Sequence, residues 1–335
     1  MEDKSQIDKK RASSGWINIG TEEDGAILQM FNINEKHLII KEKAIYELIT
    51  ADKVDPERKN IGLPNMIHRL VFGQGLQSAM VSKIFLTAKT LFAPQFFDDT
   101  IDVNSAVILS LEALKEFGDL EKNINDYLSC EKSEIEAYEK RKNDGNTSYA
   151  LPAITDIETR CKTIFQKADH IEQILMEIII LFFPNEGLIK QSHYPKFQEI
   201  IKNKFGEGDP FYLFLEKVIL FMRVVREFRN ALDHRLNFIK IRDFDIQVDG
   251  TVLTPTVEFK HDDILVTRQA LSGFLQLTLK TMIYVFETTM AHVGAKKVKK
   301  DFLNYQLREI PVAERHNKHV RFAFWSTLGG LEFFH

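Results

Sequence analysis

Apolar positions in the second half of the chain fall at helical spacing. Ile154, Ile157, Cys161, Ile164, Ala168, Ile171, Leu175, Ile178 and Phe182 alternate steps of three and four, which lines one face of a long helix. Pro184, Asn185 and Gly187 end that run, and a short helix is expected after Pro195. Asp209 followed by Pro210 supplies an N-cap and a proline at the first helical position. A second long helix is therefore predicted through Phe211, Phe214, Val218, Met222, Val225 and Leu232 to about Leu236. The period then shortens to two on either side of Asp249-Gly250. Alternation around Asp-Gly predicts a β-hairpin over residues 239–259 with a type I′ turn. Pro255 assigns part of its second strand to an edge or bulge. A last long helix is expected over Asp263–His292, with Leu271, Phe274, Leu275, Met282, Val285 and Phe286 inside.

The first half carries a weaker pattern. Residues 1–24 are polar and expected to be disordered, and Ala26–Phe31 has the run length of a strand. Leu38, Ile39, Ala44, Ile45 and Leu48 fit a helix over Glu35–Thr50. Met66–Phe92 reads as a long apolar-faced helix weakened by Gly73 and Gly75, and Val103–Phe117 and Leu120–Arg141 as two more helices. The polar stretch Lys142–Ser148 marks the expected domain boundary. The predicted fold is mainly α. A helical region over 25–142 precedes an up-and-down helical bundle over 150–292, into which one β-hairpin is inserted, and a basic extension, 293–335, follows.

Composition adds an aromatic core and removes several classes of function. Phe is abundant at 26 residues, against 8 Tyr and 2 Trp, so much of the core is expected to be Phe packing. The net charge of −4 excludes a chain coated in basic residues, though not a local basic groove. Lys296–Arg321 is the basic region, with eight Lys or Arg against three Asp or Glu. Cys130 and Cys161 lack metal-ligand spacing, which points to a reducing, cytoplasmic compartment. Met1–Arg11 is not a secretory signal, and the longest apolar stretch, Ile178–Phe183, is far below the roughly 20 residues needed to span a bilayer. No membrane association is expected. Gly73-Gln74-Gly75 lacks the third glycine of a dinucleotide fingerprint, and Gly206-Glu207-Gly208 lacks the Lys-Ser/Thr of a phosphate loop. No cofactor and no metal are expected.

One segment carries candidate chemistry: Arg226-Glu227-Phe228-Arg229-Asn230-Ala231-Leu232-Asp233-His234-Arg235. Arg stays charged and meets phosphate with two parallel donors. His titrates near neutral pH and can move a proton. Asn230 lies four residues before His234, on its side of a helix, where it can orient the imidazole or touch phosphate. Arg229, a polar residue after it and His234 after four intervening residues form a pattern that resembles the HEPN (higher eukaryote and prokaryote nucleotide-binding) superfamily over about residues 150–292. The resemblance implies a metal-independent endoribonuclease of microbial defence or toxin systems. It also implies 2′,3′-cyclic phosphate products, a site at a homodimer interface, RNA as substrate and a protein antitoxin or regulator as a further partner. Arg229, Asn230 and His234 are the catalytic candidates, with Asp233, Glu172 and Glu177 in support. Arg226, Arg235, Lys296 and Lys297 are the RNA-binding candidates.

Helical geometry places a tension inside this motif. At about 100° per residue Arg229 projects with Val218 and Val225, along the apolar stripe, and His234 diverges from it by about 140°. A structural alternative stands beside each assignment. Arg229 can pair with a buried carboxylate, Glu172 or Glu177; His234 can complement the helix dipole; Asp233 can be an i,i+4 ion partner; and the basic tail can be a solvated surface. A helical RNA-, nucleotide- or protein-binding module without turnover is the alternative function.

Overall fold

Most of the segment expected to be helical before residue 75 is β-sheet. The computed structural model describes residues 5–13, 17–143, 150–300, 303–326 and 333–334; of the expected boundary at 142–148, residues 144–148 lie outside these. Strands β1 (Ile27–Ile33), β2 (Lys36–Lys41), β3 (Ile45–Thr50) and β4 (Met66–Phe72) form an antiparallel meander in that order. The helix predicted over Glu35–Thr50 is thus a pair of strands. Leu38, Ile39 and Ile40 are consecutive and all buried, at 2%, 1% and 0% exposure. A strand covered on both faces loses its alternation and reads as an apolar run.

The chain divides into two compact units, one of Met1–Asp99, Val103–Ile108 and Val298–His335, the other of Thr100–Asp102 and Leu109–Lys297. This differs from the expected succession of 25–142, 150–292 and 293–335. Among the described residues the protein is mixed α/β, about 52% helical with 18% strand in four small sheets, which corrects the mainly-α expectation.

In the first unit, residues 1–24 are not uniformly without structure, because a short helix, α1 (Gln6–Arg11), is present. Its Arg11 reaches Asp55 at 3.3 Å, just after the short helix α2 (Ala51–Val54). Lys41 is buried and donates to the carbonyls of Ile19 at 2.8 Å and Thr21 at 2.7 Å. Gly75 follows β4, and a Cβ there would stand 2.1 Å from the Lys41 carbonyl oxygen and 2.6 Å from the Ala44 nitrogen. Only glycine lets the chain approach the β2–β3 turn this closely. The long helix expected over Met66–Phe92 is therefore a strand, a loop and then a helical run of α3 (Ala79–Val81), a π turn at Ser82–Leu86 and α4 (Thr87–Leu91).

The tail returns to this unit as strands β10 (Tyr305–Glu309), β11 (Phe322–Ser326) and β12 (Phe333–Phe334). Phe324 is fully buried, its ring centroid 4.6 Å from that of Phe96. The extension thus contributes Ile310, Ala323 and Phe324 to a core, while Lys300, Arg308 and Lys318 stay exposed.

The remaining helices are α5 (Val103–Asn143), α6 (Ile157–Phe182), α7 (Tyr194–Phe205), α8 (Pro210–His234) and α9 (Leu271–Lys297). Helix α5 is one helix where two were expected. Gly118 and Asp119 lie within it, between the fully buried Phe117 and Leu120. A helical glycine costs only about 1 kcal/mol, which packing on both sides offsets.

Asp209 caps α8 by accepting from the Phe211 N–H at 2.9 Å. The core is aromatic as composition suggests: the Phe228 ring lies 4.9 Å from Phe165, 4.8 Å from Phe259 and 5.0 Å from Phe274. His292 stacks on Phe211 at 4.8 Å, and burial pushes its imidazole down to about 4.

The expected hairpin is the start of a larger insertion. Strand β5 (Ile239–Arg242) pairs with β8 (Thr256–His261), which pairs with β9 (Ile264–Ala270). Between β5 and β8, β6 (Asp245–Ile246) and β7 (Val252–Leu253) form a ribbon whose turn is not the expected type I′. The Gly250 N–H donates to the Gln247 carbonyl at 2.9 Å, so Val248 and Asp249 are central, and Gly250 at φ +84° follows them while Asp249 is not left-handed. Residues 264–270, expected to open the last helix, form β9 because Asp262, at φ +50°, makes a strand-to-strand turn. Among the described residues no helix is long and apolar enough to cross a membrane.

Candidate functional site

Helices α6 and α8 carry the candidate residues. The apolar seam of α6 is buried from Cys161 to Phe182, and Asp169 and Glu172, beside Ala168 and Ile171, are buried with it. On α8 the buried positions are Phe211, Phe214, Leu215, Val218, Met222, Val224, Val225, Phe228 and Ala231. Arg229 therefore sits at the edge of the stripe rather than in its middle, with a side chain 36% exposed.

Carboxylates from both helices surround the Arg229 guanidinium. Its Nε lies 2.9 Å from Asp233 Oδ2 and 3.8 Å from Asp169 Oδ2. Its Nη1 donates to Asn230 Oδ1 at 3.0 Å. Asp233 also meets Lys162 at 3.1 Å and accepts from Gln166 at 3.1 Å, so it ties α8 to α6. Burial alone would raise the Asp233 carboxyl, but the Lys162 and Gln166 contacts and the Arg229 charge outweigh it and hold the group below its usual range. The carboxylates expected to pair with Arg229 have other partners: Glu172 faces His193 Nδ1 at 3.8 Å, and Glu177 pairs with Lys190. The i,i+4 role of Asp233 is present.

A cleft of about 560 Å³ lies beside these groups, lined by Asp169, Glu172, His193, Arg226, Arg229 and Asn230 among others. His234 does not line it. It is the last residue of α8 and is exposed, and Arg235 after it takes the left-handed C-cap conformation at φ +52°. Arg229 and Asn230 are thus brought together, while His234 stays apart, as the 140° divergence implies. Of the RNA-binding candidates, Arg226 lies against Glu227 at 3.1 Å. Lys296 pairs with Asp209 and covers the Phe205 ring at 4.6 Å, and Lys297 covers Phe183 at 4.3 Å. Both lysines are engaged in holding the fold together.

Two residues of the cleft carry no sequence signal. His193 is on the loop before α7, outside any motif, and Asp169 is adjacent to the α6 seam, where a carboxylate reads as a flanking surface charge.

Glu172 is 4% exposed. Burial holds its carboxyl above the ordinary value of 4.5, with Asp169 reinforcing the shift and His193 and Arg226 opposing it. A folded-state pKa above the unfolded one means that folding favours the protonated form. The resulting stabilisation is complete below pH 4.5 and is lost as pH rises through the raised folded value. Glu172→Gln keeps the shape and removes the titration. Urea melts at a series of pH values should show the wild type losing stability relative to Glu172→Gln as pH climbs from 4.5 towards neutrality. Parallel curves for the two proteins would exclude a protonated carboxyl at 172.

Comparison with family models, with curated proteins and with solved structures finds no match for this chain.

Proposed function

We propose that the second unit is a metal-independent endoribonuclease of the HEPN type, with His234 moving the proton, Arg229 holding the scissile phosphate and Asn230 assisting. The observation that carries this reading is the bonded Arg229–Asn230 pair on the wall of a cleft, Nη1 to Oδ1 at 3.0 Å, shortly before an exposed His234 on the same helix. Cleavage through the RNA's own 2′-hydroxyl needs one group to take that proton and a cation where charge builds on the phosphate. His234 and Arg229 supply these two chemistries, and their separation is met by a homodimer in which two-fold symmetry brings each His234 to the other copy's cleft. Microbial defence or toxin action, restrained by a protein antitoxin or regulator, is the setting such chemistry fits.

The test is incubation of purified protein with RNA in EDTA, with analysis of the new ends. Fragments ending in 2′,3′-cyclic phosphate are expected, and an absence of cleavage ends the proposal. Non-catalytic RNA, nucleotide or protein binding is the second reading. It is favoured by one specific feature: Asp169 and Asp233 already surround Arg229 with two carboxylates. It predicts binding without turnover in the same assay.

A further inference from the structure

Strand register sorts the side chains of the β5–β8–β9 sheet onto two faces. Lys240 pairs across from Glu258, Arg242 from Thr256 and Lys260 from Leu265. Residues two apart on a strand share a face, so these six lie together. Arg268 joins them, its Nε donating to Thr256 Oγ1 at 3.1 Å. The opposite face carries Ile239, Ile241, Val257 and Phe259. Of these, Val257 and Phe259 are fully buried, and the Phe259 ring lies against Phe228 of α8. One face is committed to the core and the other is open.

The open face is strongly unbalanced in charge. Lys240, Arg242, Lys260 and Arg268 meet a single carboxylate there, Glu258. Glu258 is taken by Lys240 and Arg242, each at 3.1 Å. Among the described residues, Lys260 and Arg268 have no carboxylate within ion-pair distance. A groove of about 330 Å³ runs over this face. Its lining takes in Lys240, Lys260 and Arg268, with Arg242 beside it, and adds Asn237 and Thr267, which can donate and accept hydrogen bonds, the Phe238 ring, stacked 4.2 Å from His261, and Leu265 at 66% exposure. Asn237 and Phe238 follow His234 by three and four residues.

We infer that this sheet face is a seat for single-stranded RNA, whose phosphates meet Lys240, Arg242, Lys260 and Arg268 and whose bases contact Phe238 and Leu265. The identity of the polymer rests on the ribonuclease reading; the surface rests on register and charge. Cations interleaved with apolar and aromatic side chains on an open sheet suit a single strand, because phosphate contacts supply affinity and exposed bases supply apolar surface. The cleft beside Arg229 lacks this excess of cations, since its Arg229 and Arg226 are matched by Asp169, Asp233 and Glu227.

Fluorescence anisotropy with a short labelled single-stranded RNA, titrated with the full chain over a range of salt, tests this. The variants are Lys260→Gln, Arg268→Gln and the triple Lys240→Gln/Lys260→Gln/Arg268→Gln. The control is Lys132→Gln, an exposed lysine of α5. Each phosphate contact contributes about 0.7 to the slope of log affinity against log salt. Each single variant should lower the slope by about 0.7 and the triple by about 2, with affinity at low salt falling at least about tenfold in the triple. Circular dichroism of the single variants, whose side chains are exposed, checks that the fold is kept. Wild-type binding that the triple variant retains in full, with the same slope, overturns the sheet seat and leaves the ribonuclease reading intact. A wild type that binds no RNA overturns both, and one that binds phosphatidylserine vesicles in preference to RNA overturns the sheet seat alone.

Discussion

Phe228→Ala is expected to destabilise the second unit by about 3–5 kcal/mol, the cost of emptying a large aromatic site in a packed core. Phe228 is fully buried, and its ring touches three others, Phe165 on α6, Phe259 on β8 and Phe274 on α9. Those rings belong to three different elements, so no single movement can close the cavity. Phe228→Leu keeps most of the volume and should cost less, about 1–2 kcal/mol. Urea melts followed by far- and near-ultraviolet circular dichroism measure both. A Phe228→Ala protein within about 1 kcal/mol of wild type would mean that this cluster is not the centre of the unit. The substitution also bears on the site, because Phe228 immediately precedes Arg229 and fixes how α8 presents it.

The helices that carry the site were legible in the sequence because each had a local signature. The three-four seam marks α6, and the Asp209-Pro210 cap marks the start of α8, where the Asp209 carboxylate is found on the Phe211 N–H. The place of the turn was legible for the same reason, and Gly250 is left-handed, but its type was not: Asp249 is not left-handed and Val248 joins it at the centre of the turn. The first sheet was not. Its β2 runs Leu38-Ile39-Ile40 with both faces covered, and periodicity carries no information where every position is buried. Strand β9 was hidden differently: the chain from Asp263 on reads as the start of the last helix, but a left-handed Asp262 turns it back along β8.

At the site, the Arg229–Asn230 pair was legible as a motif. Of its carboxylate partners, Asp233 was legible from its i,i+4 spacing, but Asp169 was not, because which of Asp169, Glu172 and Glu177 meets Arg229 depends on how α6 and α8 are rotated about their axes. Charge counting misplaced Lys296 and Lys297. Their ammonium groups lie over Phe205 and Phe183, so the long side chains pack on rings while the tail as a whole looks like a basic track.

His234→Ala is expected to reduce RNA cleavage at least about a hundredfold, the lower end of what a general acid–base residue contributes, with little change in RNA binding or melting temperature. The exposure of His234 at the end of α8 makes the stability half of this expectation strong, since its ring supports no core. Arg229 should behave differently. Arg229→Lys keeps the charge but loses the planar two-donor fork, so most activity should still be lost. Arg229→Ala also leaves Asp169 and Asp233 without their shared cation, and should cost about 1–2 kcal/mol of stability because the guanidinium is only partly buried. Asn230→Ala should be the mildest, at about 1 kcal/mol of transition-state stabilisation or roughly fivefold in rate. Cleavage rates must therefore be compared at matched folded fraction, with melting temperature measured on the same preparations. An Arg229 that acts only as the clamp between α6 and α8 predicts the opposite pattern, in which Arg229→Ala loses stability and His234→Ala changes nothing. Full ribonuclease activity in well-folded His234→Ala protein would remove His234 from the reaction.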